Sequence, residues 1–186
     1  MKYMKPIEAQ ARFKLGMITS DAIVTLANTW LEQGIYSESL GNLFTINKPE
    51  MADVGPLFES ALKKLGIPEL TRPEAASLLV KITLHQIADG ETNALEGAEF
   101  LYWQVHHAIS DELPDNKYLG DNLGLEEVFC WLREIWDCRD GSMLLYHSDL
   151  PRDQAEAKFV EHLIESALTW KEKTALNQPS QSITTP

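Results

Sequence analysis

Residues 93–109, NALEGAEFLYWQVHHAI, and residues 123–138, LGLEEVFCWLREIWDC, decide how the chain is read. Set on a helix at about 100° per residue, the first segment gathers Ala94, Gly97, Leu101, Val105 and Ala108 on one side. Glu96, Glu99, Phe100, Trp103, His106 and His107 fall on the other. In the second segment Leu125, Val128, Phe129, Leu132 and Trp136 form an apolar stripe, widened by Trp131 and Ile135. Glu126, Glu127, Arg133, Glu134 and Asp137 are expected to face outward from it. Neither segment alternates with period two, so both read as helices.

The same periodicity recurs on either side of this pair. Thr19 or Ser20 is suited to cap a helix that buries Ile23, Leu26, Ala27, Trp30 and Leu31 and stops at Gly34. A short helix over Glu38–Phe44 follows. Met51, Val54, Phe58, Ala61, Leu62 and Leu65 mark a further stripe ending at Gly66, with Pro56 expected to start or kink it. Thr71 and Glu74 have the spacing of a capping box, ahead of a broadly apolar helix running to about Ala88 and expected near the centre of the domain. Asn93 and Asn122 are plausible helix starts, and residues 110–122 between them are polar and turn-rich. Asp140-Gly141 breaks the chain before a long helix over Arg152–Leu176. The closing NQPSQSITTP has nothing to bury and reads as a disordered tail over 177–186. These elements predict an all-α protein with about 7–8 helices, packed as one irregular bundle or a short solenoid of helical hairpins over residues 1–176.

Composition narrows the function. The chain has 186 residues, 44% hydrophobic and 24% charged, which is enough to bury a core. No apolar run is long enough to span a membrane, and the N-terminus lacks the features of a signal peptide. Cys130 and Cys138, eight residues apart on one helix, would be separated by about 12 Å along its axis. That is too far for a disulfide, and a reducing cytoplasm fits. The net charge is −12, and residues 71–150 hold fifteen acidic side chains against five basic ones. Such a field repels nucleic acid and anionic lipid and attracts cationic surfaces. It also serves plain solubility.

Catalytic and metal signatures are missing. There is no Gly-x-Ser-x-Gly, no phosphate-binding glycine loop and no His-Glu-x-x-His. His106 and His107 are adjacent, so a regular helix points them apart. Glu99 and His106 are two turns apart, and His85, His147 and His162 lack partners at ligand spacing, which leaves tertiary contacts as the one route to a metal site. Acidic neighbours make Cys130 a small hydrophobe and not a thiolate nucleophile. Asp111-Glu112 reads as solvated loop charge before acid–base machinery. No cofactor, metal or catalytic residue is assigned.

The front of the chain adds a resemblance. RFKLGMITSDAIVTLANTWLEQGIYSESLGNL, residues 12–43, with GPLFESALKKLGI, residues 55–67, resembles an uncharacterised group of small bacterial all-helical proteins. In style it is similar to the acidic immunity proteins that protect cells from toxins. The resemblance spans roughly the first 70 residues and implies a cytoplasmic protein that covers a toxin's active site. The acidic middle segment independently offers such a surface: Glu96, Glu99, Trp103, His106, His107, Asp111 and Glu112 are its candidate contacts with another protein bearing a basic face. Trp103 and Phe100 are alternatively a second layer of core. A generic helical adaptor, and an enzyme using carboxylates and histidines in an interhelical cleft, are the rival readings.

Overall fold

Short polar side chains open four of the helices. The computed structural model describes residues 4–113 and 118–176. Its elements in order are α1 (Pro6–Lys14), α2 (Ser20–Glu32), α3 (Glu38–Phe44), α4 (Met51–Lys64), α5 (Arg72–Ala88), α6 (Ala94–Phe100), a π-helical turn (Leu101–His106), α7 (His107–Ile109), α8 (Glu126–Asp140) and α9 (Arg152–Leu176). Thr19 accepts from the Ala22 N–H and Ser37 from the Leu40 N–H. At α5 the capping box closes both ways: the Thr71 N–H donates to Glu74 Oε2 at 2.7 Å and the Glu74 N–H to Thr71 Oγ1 at 3.4 Å. Asn93 Oδ1 accepts from the N–H groups of Leu95 and Glu96. Each cap occupies donors that a helix start otherwise leaves unpaired.

Counting α6 through α7 as one rod, there are eight helices and no strand among the described residues. The described residues fall into two compact helical units, one ending at Leu79 and the other beginning at Val80, within the span 1–176 expected as one domain. The first unit packs α1, α2, α3 and α4 around Trp30 and Phe58. Their rings stack 5.8 Å apart, Phe13 meets Phe58 edge-on, and the Trp30 indole N–H donates to the Met4 carbonyl at 3.0 Å. A buried Trp finds a partner for its N–H in this way while its rings supply apolar area. In the second unit α8 packs along α9, and α6 packs on both. Gly97 sits where α6 comes close to its neighbours: an added Cβ would lie 2.7 Å from Ile87 Cδ1.

Several expectations need correction. The N-terminal stretch, to which the sequence reading assigns no element, forms α1. Pro56 lies inside α4 and not at its start, with α4 beginning at Met51. Asn122 falls in a 3₁₀ turn (Asp121–Leu123), and α8 starts at Glu126, because Gly120 and Gly124 both take positive φ and bend the chain between them. Glu134 and Asp137, expected outward, are buried. The tail and residues 114–117 of the turn-rich segment lie outside the described residues.

Candidate functional site

The helix that Asn93 starts does not stay regular. Over Leu101–His106 its turns widen to π geometry, which places Leu101, Val105 and Ile109, four residues apart, on the buried side. The regular wheel predicts Ala108 in that position; the wider turn hands it to Ile109. The His107 ring takes up the slack, its Nδ1 2.8 Å from the Tyr102 carbonyl oxygen five residues back. Such turns concentrate at functional sites.

An aromatic cluster surrounds this turn. Tyr102 is its hub, edge-on to Trp103 at 4.7 Å, to Phe129 at 5.2 Å and to Trp136 at 5.1 Å. Trp103 stacks on His107 at 5.2 Å, and its ring leans on Trp136 at 5.6 Å. It is nevertheless 54% exposed. His106 is half-buried against Tyr102 and Phe129, and its Nδ1 is buried with no hydrogen-bond partner among the described residues. Burial first, and then the charge of His107, holds the His106 imidazole below its usual range, so it favours the neutral form.

The seven candidate contacts separate into groups. Glu99, Trp103, His106 and His107 belong to the cluster, with Glu99 Oε1 accepting from the Trp136 indole at 3.2 Å. Glu99 is therefore half-buried and tied, not simply outward. Glu96 is exposed on the first turn of α6. Asp111 and Glu112 are exposed on a separate 3₁₀ turn (Ser110–Glu112). Phe100 is half-buried.

Beside the cluster runs a groove of about 670 Å³ along α8. Tyr102, Phe129 and Trp136 give it apolar walls, Tyr118 and Leu119 stand exposed at its side, and Glu126, Glu127 and Asp140 contribute carboxylates. The Glu126 carboxyl is raised, chiefly by a hydrogen bond with the Asp121 carboxyl. Cys130 lines the groove with its thiol pushed up by burial and then by Glu134 and Glu127, the opposite of what a nucleophile requires.

Sequence reasoning missed the loop after α8. Met143, Leu145 and Tyr146 are exposed, Met143 by 81% and Leu145 by 71%. Two charged groups, Glu134 and Arg152, hold their backbone in place. Glu134, 2% exposed, accepts from the N–H groups of Leu145 and Tyr146. The Arg152 guanidinium donates to the carbonyls of Asp137, Gly141 and Ser142. The available signal was SMLLYH: an apolar run between breakers, too short for a helix, must be either buried or presented.

Among the described residues no helix is long and apolar enough to cross a membrane. What stands established is an all-helical protein. No family model, curated protein or solved structure matches the chain.

Proposed function

We propose that the protein is an acidic protein-binding module of the immunity type, which neutralises a cationic toxin by direct binding. The observation that carries this reading is Trp103, a large aromatic left half in solvent on a braced cluster, beside an apolar groove with carboxylates. Exposed, well-supported Trp residues are common anchors of protein interfaces. The carboxylates of Glu126, Glu127 and Asp140 complement a basic segment, whose Lys or Arg heads also suit the faces of Tyr102 and Trp136. The excess of acid over residues 71–150 steers such a partner toward this side of the chain. The exposed apolar side chains of the 143–146 loop support the same reading.

A pull-down from the source cell's lysate tests it, comparing the wild-type chain with Trp103→Ala and with Glu126→Gln/Glu127→Gln, all checked for unchanged helical circular dichroism. The expected result is one basic protein, released by salt and depleted by both variants, whose toxic activity the wild-type chain inhibits. Equal capture by all three chains would reject the site, and capture of an acidic partner would reject the charge argument. The enzyme reading has the groove in its favour, because a cleft is what it requires. However, His106 and His107 do not line it, and Glu126 is raised by a neighbouring carboxyl before burial.

A further inference from the structure

Away from the groove, the fold pairs two histidines that sequence spacing leaves apart. His147 lies in the connection between α8 and α9 and His162 on α9, and their Nε2 atoms are 3.2 Å apart. The rings lie within 10° of parallel with centroids 5.5 Å apart, so the two nitrogens point at one another. Trp131 stacks on His162 at 4.5 Å, and Glu165 Oε2 is 3.0 Å from His162 Nδ1. His147 holds φ at 50°, the one positive value outside glycine among the described residues.

We propose that His147 and His162 form a two-histidine site for a late first-row divalent cation: copper(II), nickel(II) or zinc(II). The distance fits. Two imidazole nitrogens, each about 2.0–2.1 Å from a shared metal, stand about 2.9–3.4 Å apart between square-planar and tetrahedral angles. The 3.2 Å separation needs no approach of the backbones, but because the nitrogens face each other, each ring must turn about 40° off the line between them for both lone pairs to meet at one ion.

The electronic arrangement fits as well. Glu165 accepts from His162 Nδ1–H, which frees the Nε2 lone pair and fixes the ring, as carboxylates do behind metal-bound histidines. With His162 accepting, His147 donates from Nε2–H in the metal-free pair. Metal binding moves that proton to His147 Nδ1 through solvent, with no net change in protonation. Solvent completes the coordination, since no group of three or more ligating side chains occurs among the described residues.

The other histidines compete poorly. The His106 and His107 rings are 80° apart, His107 Nδ1 is engaged by the Tyr102 carbonyl, and His85 packs against Trp170. Imidazole ligands select among these metals in the order copper(II) above nickel(II) and zinc(II).

The test is calorimetric titration of the full chain with CuCl₂, NiCl₂ and ZnCl₂ near neutral pH. The wild type is expected to bind one ion per chain that His147→Ala and His162→Ala each lose. Glu165→Gln should weaken binding roughly 10-fold or more while retaining it. If an alanine variant misfolds, substoichiometric Ni²⁺ in an NMR experiment on the wild type decides instead. It should broaden the ring protons of His147 and His162 before those of His85, His106 and His107. Equal binding by wild type and folded variants, broadening that starts at His106 or His107, or no binding at all would overturn the site.

Discussion

Glu134 is the residue whose loss should be felt most clearly. Its carboxylate is buried and accepts two backbone N–H groups of the loop that follows α8. Replacing it with leucine keeps apolar volume but leaves those donors without a partner. Glu134→Leu is expected to cost about 1–3 kcal/mol in denaturant unfolding, and Glu134→Gln, which keeps one acceptor oxygen, less. His106 makes a different prediction. Its folded pKa is depressed, so the unfolded chain takes the proton first as pH falls. The stability this contributes is complete above the ordinary histidine range and declines as pH drops toward the lower folded value. Thermal unfolding followed between roughly pH 7 and 5 should therefore fall more steeply for the wild type than for His106→Leu. Parallel curves would show that the cluster does not disfavour the charged ring.

The elements show where local chemistry is decisive. Thr71 and Glu74 cap α5, and Glu74 is held below its usual range by the Thr71 backbone and side-chain hydrogen bonds. A depressed carboxylate stabilises above its unfolded value and loses that contribution as pH falls through its folded one. Thr71→Ala should lower the melting temperature at neutral pH, and the difference from wild type should shrink in acid. Gly120 takes φ +84 with Phe129 Cδ2 only 2.6 Å from where a Cβ would be. Gly120→Ala combines backbone strain of about 1–2 kcal/mol with overpacking of about 1–3 kcal/mol against a buried ring. Urea unfolding should show a loss in that combined range; a neutral result would mean the turn before α8 is free to move.

These elements also show what the sequence discloses. Thr71, Asn93 and the span Arg152–Leu176 are legible because caps and long periodic stripes are local. The two glycine bends that delay α8 to Glu126 read only as a turn-rich stretch. The π turn is invisible, since a wheel assumes the regularity that Leu101–His106 lacks. Trp103 stands outward as its wheel position suggests, but Glu134 and the His147–His162 pair depend on a loop folding back, which no spacing records.

At the scale of the whole molecule, the net charge of −12 and its concentration in residues 71–150 govern encounter more than affinity. The association rate with a basic partner should fall steeply as salt rises, because the Debye length shrinks from about 10 Å at 0.1 M to about 3 Å at 1 M. Stopped-flow measurement should show Trp103→Ala changing mainly the dissociation rate and Glu126→Gln/Glu127→Gln mainly the association rate. The reverse partition would remove Trp103 as the anchor.

The loop fastened by Glu134 and Arg152 has one more consequence, for digestion. Met143, Leu145 and Tyr146 offer the side chains that chymotrypsin-like and thermolysin-like proteases prefer, in full view of solvent. A protease, however, must draw the backbone out into an extended strand, and here the Ser142 carbonyl before Met143 is engaged by Arg152 and the Leu145 N–H after it by the buried Glu134. Cutting at this loop therefore waits on local opening. Its rate is a gauge of how firmly the two charged fasteners hold.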